Sequence, residues 1–150
     1  MKRSALQFIF ICLLSGILFI SCNKKTGGVS SSEQEKIFET ALQSAGSWLD
    51  LIDTGDYDTS WDESASYFKN AVSKEKWNQS LTAVRKPLGK LKSRTMRSKK
   101  FYTSLPGAPD GKYVVIQYET SFEFKESALE TVTPMEDKDN TWRVSGYYIK

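Results

Sequence analysis

Two clusters of charge hold most of the chemistry this sequence could perform. Asp50, Asp53, Asp56, Asp58, Asp62 and Glu63 crowd into one short stretch. Several carboxylate oxygens in one loop are what a hard cation such as calcium requires. The spacing does not fit a calcium loop, which alternates its acids around a central glycine and ends on a distal glutamate. Capping of a helix by Asp56 or Asp58 and hydration of Asp62 account for the cluster, so no metal is expected. The opposite cluster, Arg85, Lys86, Lys90, Lys92, Arg94, Arg97, Lys99 and Lys100, contains no acid. On an extended strand Lys90, Lys92, Arg94 and Lys100 share one side, while Arg97 and Lys99 take the other unless a bulge intervenes. The first four are the candidate contact for an anionic surface, such as lipid headgroups or lipopolysaccharide phosphates. The competing role is edge protection, because lysines stop an exposed strand from pairing with other chains.

A third possibility is the pair Glu119 and Glu123, which as acid and base would need one pKa raised by desolvation. Strand parity puts both opposite the apolar face, which suits solvent or a dimer contact better. The sequence has no histidine. That removes Ser-His-Asp and Cys-His catalysis, histidine-ligated zinc and the usual proton shuttle near neutral pH. No catalytic residue is assigned, no cofactor is expected, and the chain is read as a non-enzyme. The aromatic residues Trp48, Trp61, Trp77, Trp142, Tyr118, Phe122, Phe124 and Tyr148 sit at core spacings. Trp61, Tyr118, Phe122 and Trp142 are the candidate lining of a pocket between helices and sheet.

The elements that must position these groups follow from periodicity. Ile37, Phe38, Ala41, Leu42, Ala45, Trp48, Leu49 and Ile52 recur at three and four, predicting a helix over residues 33–52. Ser32 and Glu35 give it a capping box, and Thr54-Gly55 stops it. Tyr57, Trp61, Ala65 and Phe68 predict a second helix. A third, capped by Ser73, buries Trp77, Leu81, Val84 and Leu88 before Pro87 and Gly89 end it. From there the period becomes two. Strands are expected around residues 94–105, 113–124, 129–135 and 142–150. In the second of these, Val114, Ile116, Tyr118, Phe122 and Phe124 face inward. The fold class is α+β: three N-terminal helices packed on a curved four-stranded antiparallel sheet.

The beginning of the chain gives an address. Lys2 and Arg3 precede an apolar run over residues 5–20, followed by Ser21-Cys22. This is the layout of a secretory signal, and with its cysteine it resembles a bacterial lipoprotein signal. The resemblance implies removal of residues 1–21, lipidation of Cys22 and, with Asn23 following, a place at the outer membrane. Residues 22–32 then form a flexible tether, and residues 33–150 form a single domain. Without Lys2 and Arg3 that domain is nearly neutral, and with Cys12 removed and Cys22 acylated it has no free thiol. The expected partners are the membrane, through the lipid on Cys22, and an envelope protein or a second copy of the chain. Nucleic acid is not expected.

Five stretches carry a further likeness. They are Trp48-Leu49-Asp50-Leu51-Ile52-Asp53-Thr54-Gly55-Asp56-Tyr57, Ser60-Trp61, Val84-Arg85-Lys86-Pro87-Leu88-Gly89, Ser104-Leu105-Pro106-Gly107-Ala108-Pro109-Asp110-Gly111 and Trp142-Arg143-Val144-Ser145-Gly146-Tyr147-Tyr148. Together they resemble the bacterial family called domain of unknown function 4019. Its order of helices followed by sheet is similar to the nuclear transport factor 2-like (cystatin-like) cone. The resemblance implies a fold and lends no activity. The expectation is a non-catalytic binding or interaction module, possessing an outer sheet face that includes Val115, Tyr147 and Ile149. The alternatives are a binder of small apolar ligands in the cone and, last, a cofactor-free carboxylate or tyrosine enzyme.

Overall fold

A computed structural model describes residues 29–150. The leader, Cys22 and most of the tether lie outside the described residues. Helix α1 spans Ser31–Thr54. Its N-cap is Ser30, whose hydroxyl accepts from the Glu33 N–H, so the cap sits two residues before the expected Ser32. Gly55 ends it at φ 82°, the left-handed turn that glycine adopts without a Cβ penalty. The second predicted helix is two, α2 (Tyr57–Asp62) and α3 (Ser66–Ala71), and Asp56 caps the first of them. Helix α4 covers Lys74–Arg85 behind its Ser73 cap and runs into a 3-10 turn, Lys86–Leu88.

The strands are β1 (Leu91–Tyr102), β2 (Tyr113–Phe122), β3 (Lys125–Glu136) and β4 (Trp142–Ile149), an antiparallel meander in chain order. The sheet is open, with β1 and β4 at its edges. The fold is α+β as expected, with helices packed against one sheet face. Helix α1 lies across that face and meets all four strands. It buries Ile37, Ala41, Ala45, Trp48, Leu49 and Ile52 against Val114, Ile116, Val132 and Val144. Each large side chain of this set contributes about 1.5–3 kcal/mol by leaving water. The indoles are anchored as well as packed: Trp48 Nε1 donates to the Ser60 carbonyl at 2.7 Å, and Trp77 Nε1 to Ser60 Oγ at 2.9 Å.

Bulges correct several parity expectations. In β1 the pairing shifts between Met96 and Ser98, leaving Arg97 as the extra residue. Beyond it Lys99 turns to the helix side, where its ammonium lies 4.6 Å from the Phe38 ring centroid. In β4 Thr133 pairs with Gly146 but Pro134 with Val144, so Ser145 is extra. That single residue brings Tyr147 to the core face, 5.3 Å from Trp48 between ring centroids, rather than to the outer face. Phe124, expected inward, falls in the β2–β3 turn and is 72% exposed. Val84, expected in the core, is 45% exposed.

Candidate functional site

The sheet face under α1 is apolar except at one end, where ionic groups replace hydrocarbon. Asp53 from the last turn of α1, Arg85 from the last turn of α4, Arg94 from β1, Thr120 from β2, Glu130 from β3 and Tyr147 from β4 converge there. Glu130 is entirely buried and Arg85 is 5% exposed. Arg94 is the bridge. Its Nη1 and Nη2 donate to the two Asp53 oxygens at 2.7 and 3.0 Å. Its Nε and Nη2 donate to the two Glu130 oxygens at 2.5 and 3.1 Å. Arg85 Nη2 donates to Asp53 Oδ1 at 2.8 Å, and its guanidinium carbon lies 4.6 Å from the Phe122 ring centroid. Two guanidinium groups thus face two carboxylates.

The electrostatics fix the protonation states. Burial by itself would lower the Arg94 pKa, but hydrogen bonds to Asp53 and Glu130 outweigh it and hold the guanidinium well above its ordinary value. Burial, then the Glu130 charge, raises the Tyr147 phenol far above the usual tyrosine value. Tyr147 therefore keeps its proton and donates it to Glu130 Oε1 at 2.5 Å. Thr120 Oγ1 donates to Glu130 Oε2 at 2.9 Å.

This decides what the cluster can do. A carboxylate offers about four lone-pair directions, and Glu130 receives four hydrogen bonds, from Arg94 twice, Thr120 and Tyr147. No lone pair is left to take a substrate proton. Arg85 Nη1 is the buried side-chain polar atom without a hydrogen bond among the described residues, 3.8 Å from Glu130 Oε1. The cluster is a tie between elements, and it borders an open cleft of about 350 Å³ lined by Asp53, Tyr57, Arg85, Lys86, Lys90 and Glu123 among others.

The candidate pocket residues do not share one set of surroundings. Phe122 is fully buried beneath Arg85. Tyr118 is half-buried beside Arg94, and burial raises its pKa. Trp61 donates to the Val72 carbonyl at 2.8 Å, with the Lys74 ammonium 5.3 Å from its ring centroid. Trp142 lines an open cavity of about 430 Å³ with Ser44, Trp48 and Arg143.

The basic stretch is also divided. Arg94 is not a surface contact but the bridge of the buried cluster, while Lys90, Lys92 and Lys100 remain exposed. Lys92 occupies the first β1 bulge, and Lys100 pairs at the Val115 position. The acids disperse too. Asp56 caps α2, Asp58 accepts from Asn78, and Asp62 pairs with Lys74 at 2.7 Å. Glu119 accepts from Ser127, and Glu123 from the Lys90 N–H, both at exposed positions. Among the described residues no group of His, Cys, Asp or Glu is placed to hold a metal ion.

Sequence reasoning did not assemble the buried cluster, although its signals were present. Glu130 keeps the parity of Ala128 and Val132, Arg85 lies two helical steps of four beyond Trp77, and Asp53 one step beyond Leu49. Each is a charge in an apolar phase.

Fold and cluster together define an α+β domain whose helices and meander sheet are pinned by internal ion pairs. The chain belongs to the family described as a protein of unknown function, DUF4019, whose model matches residues 44–147. Among curated proteins, none matches the chain. No helix of the described residues is long and apolar enough to cross a membrane.

Proposed function

We propose that the chain is a non-catalytic interaction module, held at the bacterial envelope by a lipid on Cys22 and built on a nuclear transport factor 2-like arrangement. The observation that carries this reading is the filled interior. Phe122, Ile116 and Val132 have no exposure, and the buried Glu130 carboxylate has its acceptors occupied from within. Recognition is then left to the outside of the domain. The leader pattern supports the anchor. The tether expected over residues 22–32 is shorter than that, because Val29 packs against the core and α1 begins at Ser31. The residues before Val29 are left to give the domain reach from the membrane.

The test is native mass spectrometry of the full chain extracted from its membrane in mild detergent. The expected spectrum shows protein bound to protein, with lipid mass only at the N-terminal cysteine. A stoichiometric lipophilic molecule bound to the domain would overturn the reading in favour of a small apolar-ligand binder. Cys22→Ser is expected to abolish palmitate labelling and release the protein from membranes. Continued labelling of that variant would exclude the anchor.

A further inference from the structure

The two edges of the sheet are built differently. β1 carries Lys92, Arg97, Lys99 and Lys100 and two bulges, a combination that resists pairing with a foreign strand. The second half of β4 has no such guard: Gly146, Tyr147, Tyr148 and Ile149 are all uncharged. The first half of that edge is covered from within. The Ala65 N–H donates to the Val144 carbonyl at 2.8 Å, and Ser44 Oγ to the Trp142 carbonyl at 2.9 Å. Further along, Lys150 exchanges both backbone hydrogen bonds with Leu129, each at 3.0 Å. The alternation of an antiparallel ladder then turns the N–H and C=O of Tyr147 and Ile149 away from β3, toward the open edge. Among the described residues nothing meets them there. Beside them runs a groove of about 150 Å³ lined by Trp77, Leu81, Val84, Tyr148 and Ile149, among others. Tyr148 is 62% exposed.

We propose that this edge pairs with the same edge of a second copy, antiparallel about a two-fold axis at Tyr148, joining two sheets into one of eight strands. The proposal rests on the interaction-module reading and names its partner. Among the described residues the free edge runs over 146–150, and a two-fold at Tyr148 is centred on it. Tyr147 exchanges backbone hydrogen bonds with Ile149 of the second copy, Ile149 with its Tyr147, and the two Tyr148 side chains meet on the outer face.

Charge agrees with this register. The facing segments are neutral, and each Lys150 falls opposite a Gly146. The two lysines are then about 13 Å apart, beyond a Debye length of about 8 Å at physiological salt. Pairing β4 with β1 of another copy would instead meet lysines and bulges, and would leave an open head-to-tail chain rather than a closed pair.

The test uses the full chain in mild detergent. Sedimentation is expected to give a two-copy mass at micromolar concentration. Tyr148→Lys, at an exposed position, is expected to weaken association by about tenfold or more by setting like charges face to face. Tyr148→Cys is expected to cross-link under mild oxidation, with the disulfide mapped to position 148. Directly opposed residues of a non-hydrogen-bonded pair lie about 4.5 Å apart at Cα, within disulfide reach. Lys100→Cys on the guarded edge and the unmodified chain, oxidised in parallel, should not cross-link within the domain. A monomer at every concentration overturns the proposal. So does a two-copy species that ignores Tyr148→Lys and fails to cross-link at position 148. A monomer that still binds an envelope protein overturns self-pairing alone and leaves the module reading intact.

Discussion

Glu130 is the residue on which most others depend. It is wholly buried and accepts from three different strands, so removing its charge leaves two guanidinium groups underpaired in the interior. Breaking one side of such a pair costs about 3–5 kcal/mol, and Glu130→Gln is expected to lose that much in urea unfolding. A loss below about 1 kcal/mol would mean that water already reaches the cluster. Tyr147 sets a limit at the other end of the pH scale. An unfolded tyrosine releases its proton near pH 10, whereas the folded Tyr147 holds it to higher pH. The native state therefore binds more protons above pH 10. The stability this contributes is complete below that pH and falls as pH rises toward the folded value. Tyr147→Phe should flatten this alkaline limb while leaving the neutral-to-acid profile unchanged in shape. An identical alkaline limb in the variant would assign it elsewhere.

At the scale of elements, what the sequence made legible followed periodicity. Helix α1, the Ser73 cap and the order of the strands could all be read, because each rests on a long apolar repeat or a local hydrogen bond. The bulges could not. Whether Ser145 inserts depends on how Pro134, which lacks an N–H, meets β4 across the sheet, and no local pattern reports that. One extra residue in each of two strands, Ser145 in β4 and Arg97 in β1, exchanged the faces of Tyr147 and Lys99, so the candidate outer surface and the basic stripe were both misdrawn. The site suffered more than the fold for this reason: a strand survives a parity error, but a cluster of side chains does not. The hinge between the 3-10 turn and β1 offers an element-scale check. Gly89 sits at φ 74°, and a Cβ there would come within 2.7 Å of Glu123 Cβ and 2.8 Å of Phe124 Cδ2. Gly89→Ala combines left-handed strain with a collision, and is expected to cost about 1–3 kcal/mol. Thermal unfolding with no decrease in midpoint would show that the β2–β3 turn simply moves aside.

For the whole molecule, the arrangement of the ion cluster has a kinetic consequence. Six elements each contribute one residue to it, and the contributors span positions from Asp53 to Tyr147. Glu130 cannot be satisfied until the first and last strands have both docked, because Arg94 and Tyr147 supply three of its four hydrogen bonds. A chain part-way up the folding barrier, holding α1 against β2 and β3, gains only the Thr120–Glu130 hydrogen bond from the cluster and still bears the cost of desolvating its charges. The cluster then acts late, as a lock rather than a nucleus. Substitutions within it should accelerate unfolding and barely slow folding. In a chevron, Glu130→Gln would steepen nothing and lift the unfolding limb, whereas a matched fall in the folding limb would place the cluster in the nucleus. The persistence of a folded domain is governed by how rarely it opens. Six side chains gathered at one end of the sheet set that interval.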